Sequence, residues 1–588
     1  MATPTDTTSP RSKYFAIVLA LTILVAGAYS YRWIADDAMI DFRIVDNLLH
    51  GHGPVYNIGE RVEVYTNPLW VLLLAVSRVV MFFLPLGTIA VLLGILLSVA
   101  AVVLSWRATT RSSQVSGRTP MPVGLVIFCC LPATWEFVTS GLETSLSFFW
   151  VGLSVALLSR GVPSRWTPIV IGLSTLVRPD LVLIALPLGV AYLALIRRHD
   201  TSRRTVTKAV MLLVAPTVIY EIFRMAYFGL LVSNTALVKS ATSLRVGLGW
   251  SYLGDFLAAY WLWFPLAVAL TWWCAAYRPW QRELRRRHMV LVTVLVGGLL
   301  HAAYIVAVGG DFMHARLLLP SLFALATALT FEIPTGATGR LIVVGVLAYC
   351  AVVVSTLRYE QPGMQPHLMV SDERLMQIAL TKNAHPVNES DMKKSIWWQY
   401  GERLRVVAES HHGSRSDMVM ASSPTVITGP VNFALQVVPT SRVATTPVVA
   451  ASRTLGQVGL AAGPQVGIFD VLSLANPVSS HFALSTRTLR PGHEKEAALS
   501  WYVARFGSPR YVGLMNYYGG FFRYPTMSGA EVRDAHAAMN CGPLRRYLES
   551  VSAPLGPHRI ASNMVHALSW TTMSFSPTPQ QARSQLCP

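Results

Sequence analysis

Apolar runs of roughly bilayer-spanning length dominate the first 357 residues of this chain. Inside a bilayer the backbone must satisfy its own hydrogen bonds, so such runs can only be helices. The chain of 588 residues is 53% hydrophobic and 13% charged, which predicts a polytopic α-helical membrane domain rather than a soluble protein. The runs lie at about 14–33, 68–84, 86–106, 121–138, 145–159, 167–178, 180–196, 209–228, 252–276, 289–308, 316–331 and 341–357.

Basic residues set the predicted orientation of these helices. Arg11 and Lys13 precede the first run, which places the amino terminus inside and the following loop outside. The later basic clusters all fall inside only if 68–84 does not cross. These clusters are Arg107–Arg118, Arg197–Lys208 and Arg278–Arg287. We therefore expect about eleven transmembrane helices, with 68–84 as a re-entrant or interfacial helix. Because the basic residues sit in short loops, the net charge of +18 does not indicate nucleic-acid binding.

An acidic pair, Asp36-Asp37, follows the first run and opens a polar loop on the predicted outer side. Adjacent carboxylates at a membrane boundary cost free energy unless they pair, bind a metal or take part in chemistry. Two simpler interpretations stay open: a loop that is acidic by chance, and a removable signal peptide ending near Ala26-Gly27-Ala28. In this orientation the unusual polar residues gather at the outer face, namely Asp36, Asp37, Glu143, Asp180, Asn234, Lys239, Asp311, His314 and Arg316.

The chain after Arg358 contains no further apolar run. An odd number of crossings places this part outside, so we expect a membrane catalytic domain at 1–357 and a soluble domain at 358–588. Short β-prone runs between turn residues predict a β-rich fold with added helices. Strands are expected at Asp417–Ile427, Asn432–Val438, Val443–Ala450, Gln465–Leu472 and Tyr511–Met515, and helices at Asp372–Asn383, Lys394–Ser410, Glu494–Phe506 and Ala530–Met539.

Cysteine placement agrees with this division. Four of the six cysteines, Cys129, Cys130, Cys274 and Cys350, lie in apolar runs and are expected to be inert core residues. Cys541 and Cys587 alone lie in the expected outer domain, an oxidising setting, and are predicted to form a disulfide. No His and Cys spacing suits zinc.

Several motifs of this chain resemble those of the actinobacterial GT-C glycosyltransferases that use polyprenyl-phosphate sugars. Within that family they are most similar to the motifs of the arabinofuranosyltransferases that form terminal β-(1→2) linkages. The likeness covers most of the chain. It is carried by Asp36-Asp37-Ala38, Gly51-His52-Gly53-Pro54-Val55-Tyr56-Asn57, Tyr65-Thr66-Asn67-Pro68-Leu69-Trp70, Thr139-Ser140-Gly141-Leu142-Glu143, Val177-Arg178-Pro179-Asp180, Asn234–Ser240, Gly309-Gly310-Asp311-Phe312-Met313-His314-Ala315-Arg316, Phe469–Pro477 and Arg490–Lys495.

This resemblance implies a decaprenyl-phosphoryl-β-D-arabinofuranose donor and acceptors at the arabinan ends of arabinogalactan and lipoarabinomannan. It also implies a plasma-membrane enzyme of mycobacterial cell-wall biogenesis, with its active site and a carbohydrate-binding domain on the periplasmic side. One departure is Ser473, where the family pattern has Gly, so a less strained backbone is expected there.

Glycosyl transfer from such a donor needs a carboxylate as base or nucleophile and a cationic clamp on the lipid phosphate. Asp36 and Asp37 are the catalytic candidates. A divalent metal such as Mg, Mn or Ca would relieve their repulsion, with Asp37, Glu143 and Asp311 as ligands or supporting acids. The donor-binding candidates are Lys239, His314, Arg316, Arg178 and Asn234. Alternatives stay open for two of them: Arg178 pairs with Asp180, or Lys239 is a solvated or snorkelling lysine.

A β donor that gives a β linkage means net retention, through a covalent carboxylate intermediate or through front-face attack, and both routes stay open. Candidates for acceptor binding are Trp397, Trp398, Asp470, His493 and Tyr517, although most aromatic residues of the outer domain are expected in its core. The rival functions are another GT-C enzyme, such as a mannosyltransferase, and a transporter of lipid-linked sugars. The absence of internal repeats argues against the transporter.

Overall fold

The computed structural model describes residues 10–113, 120–162, 164–239, 244–269, 289–332, 337–361, 370–411, 416–421, 435–440, 444–484, 494–518 and 526–587. Helices predominate in this part of the chain. The apolar two-thirds forms α1 Pro10–Ser30, α2 Asp36–Leu49, α3 Pro68–Val80, α4 Leu86–Ser113, α5 Val123–Cys130, α6 Pro132–Thr139, α7 Thr144–Leu158, α8 Trp166–Gly172, α9 Ser174–Val177, α10 Val182–His199, α11 Arg203–Phe228, α12 Asn234–Lys239, α13 Val246–Ala259, α14 Met289–Val308, α15 Leu319–Ala328 and α16 Ala337–Ser355.

The remainder is also largely helical. Its helices are α17 Glu373–Thr381, α18 Glu389–Met392, α19 Ile396–Glu409, α20 Gly456–Ala462, α21 Leu499–Phe506, α22 Val512–Tyr518, α23 Gly529–Met539, α24 Gly542–Ser552, α25 Pro557–Thr571 and α26 Pro579–Leu586. The strands among the described residues are β1 Pro120–Met121, β2 Phe331–Glu332, β3 Asp417–Ala421, β4 Leu435–Pro439, β5 Val448–Ser452 and β6 Val466–Asp470.

The chain folds into two compact units, each assembled from three separate stretches. The first unit comprises Met1–Ile34, Gly87–Val218 and Ser243–Gln377. The second unit comprises Ala35–Leu86, Ile219–Thr242 and Ile378–Pro588. The loop that opens with the acidic pair therefore packs with the carboxy-terminal stretch, and the domain boundary at 357/358 stays a prediction.

In the part of the chain that the structure describes, four helices are long and apolar enough to cross a membrane: Leu86–Thr110, Pro179–His199, Arg203–Phe228 and Met289–Val308. The count becomes six if two bent pairs each form one span, Pro132–Thr139 with Thr144–Leu158 and Val246–Ala259 with Trp263–Ala269. Five further apolar helices of the described ranges are shorter, at Phe15–Ser30, Pro68–Val80, Trp166–Val177, Arg316–Ala328 and Arg340–Ser355. Several apolar helices thus indicate a membrane protein, while the figure of eleven crossings stays a prediction.

One expected span, 121–138, differs from the continuous helix that hydropathy predicted, and 68–84, which we expected not to cross, forms a short helix. The run 121–138 is broken into α5 and α6, because Pro132 lacks the N–H needed to continue the helix and instead begins the next one. The run 68–84 yields only the 13 residues of α3. At 1.5 Å per residue this helix is about 20 Å long, too short for a hydrocarbon core of about 30 Å.

The sheet of the second unit is small and mixed. Its strand order is β4-β3-β5-β6, with β3 antiparallel to β4 and parallel to β5, and β5 parallel to β6. All five residues of β5 and of β6 are buried. The core beside the sheet is built from aromatic and aliphatic side chains, including Phe469, Trp501 and Tyr502.

The expected β-rich architecture is wrong for the described residues, where helices outnumber strands. Four of the expected strands coincide in part with β3 to β6, and the remainders of the first two, 422–427 and 432–434, lie outside the described residues. Tyr511–Met515 is helical instead, because Pro509 begins a 3-10 turn that continues into α22. The four expected helices appear as α17, α19, α21 and α23, each somewhat shorter or shifted at its ends.

The predicted disulfide is confirmed: Cys541 and Cys587 are bonded across a separation of 46 residues. It fastens the end of α26 to the start of α24. Cys129, Cys130 and Cys350 are buried free thiols, as expected, whereas Cys274 lies outside the described residues.

Replacing the disulfide cysteines by serine (Cys541→Ser/Cys587→Ser) is expected to destabilise the protein by about 2 to 4 kcal/mol, because the unfolded chain regains the freedom of the closed loop. Thermal unfolding of the purified protein with and without reductant measures this. Reductant should lower the midpoint of the natural protein and leave that of the double variant unchanged. An equal response in both proteins would contradict the prediction.

Candidate active site

The acidic pair forms the first turn of α2, where the positive end of the helix dipole favours negative charge. Both side chains are partly buried. The Asp36 carboxylate also accepts two backbone hydrogen bonds from the start of α20, from Gly456 N to Oδ2 at 3.0 Å and from Gln457 N to Oδ1 at 2.8 Å. Asp36 therefore connects the beginnings of two helices within the second unit.

Burial raises the pKa of Asp36 to about 6, and the charge of Asp37 contributes in the same direction. The two backbone N–H groups favour the ionised form and offset part of this increase. The carboxylate is thus held in place and poised to exchange a proton near neutral pH.

Gly456 allows this close approach. A Cβ atom at that position would lie 1.8 Å from the Asp36 carbonyl oxygen and 2.7 Å from its carboxyl carbon. Since such contacts are far inside van der Waals distance, only glycine fits between α20 and the acidic pair.

Arg43, a buried residue of α2 to which the sequence analysis gave no role, ties this helix to the chain segments packed around it. It donates to the carbonyls of Tyr56 at 2.8 Å, Val466 at 2.6 Å and Gly459, and its guanidinium lies 4.6 Å from the Tyr56 ring centre. The Tyr56 hydroxyl in turn donates to Leu455 O at 2.7 Å. An arginine inside the apolar stretch of α2 was the available sequence signal, because a buried cation needs a partner.

A second network in this unit was also missed. Glu63 is fully buried and accepts hydrogen bonds from Arg224 Nε at 2.7 Å and from the Tyr220 hydroxyl at 2.6 Å. Arg224 also pairs with Glu221 at 2.6 Å. This network fixes the polar loop to the end of α11.

Asn234, predicted to bind the donor, instead supports a turn after β6. Its amide Nδ2 donates to Ser473 O at 3.0 Å and to Leu474 O at 2.7 Å. Asp470, predicted to contact the acceptor, is fully buried and caps the same turn through the N–H groups of Leu472 and Ala475, both at 2.8 Å.

Ser473 in this turn has a φ of 76°. The expectation of a relaxed backbone there is wrong: the turn keeps the left-handed conformation that suits Gly, and a serine there costs on the order of 1 kcal/mol. The Ser473 hydroxyl compensates in part by donating to Lys495 O at 2.6 Å.

The predicted cations of the first unit form a buried ladder with carboxylates. Arg178 makes two hydrogen bonds to Asp180, at 3.0 and 2.7 Å, and lies 3.3 Å from Glu143. Arg316 lies 3.7 Å from Glu143 and 3.6 Å from Asp311. The alternative pairing of Arg178 with Asp180 is thus what the structure contains, and His301 extends the ladder through a 2.9 Å contact with Asp180.

His314 is also engaged within the first unit. Its Nδ1 lies 2.7 Å from Asp255, and its ring stacks on Tyr359 with 3.6 Å between ring centres. Burial lowers the pKa of His314, which favours the neutral ring. With its proton on the side of Asp255, the ring presents an acceptor at Nε2, which suits an anion poorly.

Lys239 differs from these cations because its side chain is exposed at the end of α12. Among the acceptor candidates, Trp398 is buried and donates from Nε1 to Glu402 at 3.1 Å, so it is not placed to stack on a sugar. Trp397 is partly buried on the same helix. His493 and the Tyr517 side chain lie outside the described residues.

The predicted metal ligands Asp37, Glu143 and Asp311 do not come together as one metal site. Among the described residues, no three His, Cys, Asp or Glu side chains converge in a way that could hold a metal ion. Glu143 and Asp311 face arginines, which does not fit a role as ligands of a divalent cation. Only the adjacent acids Asp36 and Asp37 retain the chemistry of such a site.

Two known proteins resemble the chain over nearly its whole length. A terminal β-(1→2)-arabinofuranosyltransferase of Mycobacterium tuberculosis is 30% identical over an alignment of 617 positions that covers 96% of this chain and 95% of the relative. The enzyme of the same name from Corynebacterium glutamicum is 28% identical over an alignment of 631 positions that covers 98% of this chain and 89% of the relative. No family model and no solved structure matches the chain.

Replacing Gly456 by alanine (Gly456→Ala) is expected to push α20 away from Asp36 and to destabilise the protein by about 1 to 3 kcal/mol. The control is Gly513→Ala in α22, where no atom lies within 4 Å of the new Cβ; this variant should be neutral or slightly more stable. Thermal unfolding compares the two. Hydrogen exchange in α2 should increase only in Gly456→Ala, and equal behaviour of both variants would refute the close-contact argument.

Burial raises the pKa of Asp470 to about 7 from 3.8 in the unfolded chain. The folded protein therefore binds this proton more tightly, so the contribution of Asp470 to stability is complete below pH 3.8 and is lost as the pH rises to 7. Between pH 4 and 7, the free energy of unfolding of the natural protein should fall by a few kcal/mol relative to that of Asp470→Asn. This is the order of magnitude to which the shift in the pKa of Asp470 corresponds. Unfolding midpoints of both proteins across this range provide the test, and parallel pH profiles would contradict it.

Proposed function

This chain belongs to the terminal β-(1→2)-arabinofuranosyltransferases, and from that membership we propose that its acidic pair catalyses arabinofuranose transfer from a polyprenyl-phosphate donor to the ends of an arabinan. The enzyme is a glycosyltransferase that forms terminal β-(1→2) arabinofuranosyl linkages. The donor we propose is decaprenyl-phosphoryl-β-D-arabinofuranose. The proposed acceptors are the arabinan ends of arabinogalactan and lipoarabinomannan.

One observation carries the assignment of the site. Asp36 and Asp37 begin α2, and Asp36 is fixed by the two N–H groups of α20. A fixed carboxylate loses little freedom when a substrate binds, so it can meet the sugar in a reactive geometry. The bracing of the same loop by Arg43 and Glu63 supports this rigidity.

The chemistry requires little beyond a carboxylate and a cation. The bond from the anomeric carbon to the phosphate oxygen breaks, and the electron pair leaves on the lipid phosphate, which is already anionic. A new bond forms to the acceptor oxygen, whose proton must be removed. A carboxylate with a pKa near 6, such as that of Asp36, can accept this proton at neutral pH, and the neighbouring charge of Asp37 stabilises the oxocarbenium-like sugar.

Lys239 is the cation that we propose for the donor phosphate. Arg178 and Arg316 are already paired with carboxylates, and His314 is directed to Asp255. Lys239 is exposed and ends α12, whose first residue, Asn234, is anchored to the second unit. An exposed ammonium on an anchored helix is suited to a mobile lipid phosphate.

A divalent cation stays a proposal for Asp36 and Asp37 alone, since two carboxylates and a donor phosphate are ligands that Mg²⁺ accepts. Activity of the purified enzyme before and after chelation tests it. We further propose that the enzyme resides in the plasma membrane, with the acidic pair and the carboxy-terminal residues 358–588 on the periplasmic side.

The decisive assay uses the full-length enzyme in nanodiscs, a synthetic polyprenyl-phosphoryl-β-D-arabinofuranose and an oligoarabinofuranoside acceptor. Linkage analysis should show a new terminal β-(1→2) arabinofuranose. Asp36→Asn and Asp37→Asn should each reduce the rate by about 100-fold or more, because a positioned acid or base contributes at least that much. Asp46→Asn is the matched control on the exposed part of α2 and should keep the natural rate within about twofold.

Two results would overturn the proposal. Full activity of both Asp36→Asn and Asp37→Asn would place the catalytic acids elsewhere. Transfer of mannose from the corresponding mannose donor, without transfer of arabinofuranose, would show that the donor is wrong.

A further inference from the structure

Helix α25, Pro557–Thr571, presents an apolar face outward although it lies far beyond the last apolar run of the sequence. Val565 is 78% exposed and Leu568 is 63% exposed, and Leu555, Ala561 and Met564 are also exposed. Positions 561, 564, 565 and 568 share one side of a helix. A contiguous outward apolar strip of this kind marks an interaction surface.

The opposite face of α25 is packed against the second unit. Asn563, Ala567 and Trp570 are buried there. The helix thus has one face in the protein core and a second, apolar face outside it. Exposing this second face to water is unfavourable.

The position of α25 identifies what covers the outer face. Asn563 Nδ2 donates to Ala226 O at 2.9 Å, and the Leu231 N–H donates to Thr571 Oγ1 at 2.8 Å. The first contact joins α25 to the end of α11, a candidate membrane span, and the second joins it to the residues just after that helix; of the apolar 18-residue window of α11 only 6% is buried inside the protein. The apolar side chains of α11 near this end, Ile219 and Ile222, are exposed as well. Exposed apolar side chains thus occur both on α25 and on the end of α11 that it contacts, and lipid would cover those of α11 if that helix crosses the membrane.

The distribution of charged residues around α25 is consistent with contact with a lipid surface. No Asp or Glu occurs between Ser550 and Pro588, while His558 and Arg559 stand at the first turn of α25. An apolar strip that is free of acids and begins beside a cation, here Arg559, is the pattern of helices that lie in the interface of a bilayer with anionic lipids.

We propose that α25 is an interfacial helix that inserts Met564, Val565 and Leu568 into the lipid bilayer beside α11. The carboxy-terminal part of the second unit is then held on the membrane surface by lipid as well as by protein contacts. The occupant of the apolar strip is phospholipid, and this inference depends on α11 crossing the membrane, not on the reaction that the enzyme catalyses.

The test uses the full-length protein in nanodiscs of phosphatidylcholine and phosphatidylglycerol, in a Cys274→Ser background. Val565→Cys and Leu568→Cys are labelled singly with an environment-sensitive fluorophore. The matched control is Val406→Cys on α19, where the valine is 56% exposed. Quenching is measured with a doxyl-labelled phospholipid and with aqueous iodide.

Labels at 565 and 568 should be quenched by the doxyl lipid about threefold more strongly than the label at 406, and iodide should show the reverse order. Iodide quenching at 565 and 568 equal to that at 406 would show that the strip faces water and would overturn the proposal. Protection from both quenchers would also overturn it, since a second copy or another protein would then cover the helix.

Discussion

The need to give every buried charge a partner organises both units of this protein. In the first unit the arginines Arg178 and Arg316 share the carboxylates of Glu143, Asp180 and Asp311. In the second unit, Asp36 rests on backbone N–H groups and Arg43 on backbone carbonyls. Removing a charge from water is costly unless such partners compensate. The partners of the buried charges therefore determine which loops and helices are held together.

Local signals in the sequence predicted the local features. Apolar runs predicted where apolar helices lie, and the two cysteines outside those runs predicted the Cys541–Cys587 bond. Pro132 in the sequence already indicated a break in the helix. A continuous span was nevertheless expected, because hydropathy is averaged over a window and does not register such a break. Aromatic and β-branched residues at 511–515 favoured a strand, but packing of Met515 in the core and the turn at Pro509 made a helix. Propensity is a weak guide where tertiary packing decides.

The site was only partly predictable for a different reason. The acidic pair was identifiable, because adjacent carboxylates after an apolar run stand out against their surroundings. Its partners were not, since Gly456 and Gln457 are distant in sequence and contribute backbone N–H groups that any residue other than proline provides. Asn234, Asp470 and Trp398 were interpreted as ligand-binding residues, and all three are buried and hydrogen-bonded within the protein. A polar or aromatic residue in a motif can be required for hydrogen bonding and packing within the fold rather than for binding a ligand.

The contact between Asp36 and Gly456 joins residues 420 positions apart. A ribosome that feeds this chain into a membrane completes the first loop long before α20 exists. Asp36 consequently remains without these two backbone partners until α20, more than three-quarters of the way along the polypeptide, has been made. Under the proposed role of the acidic pair, a chain that ends before residue 456 would lack the contact that positions Asp36. Transfer of the sugar would then depend on a segment that is synthesised late.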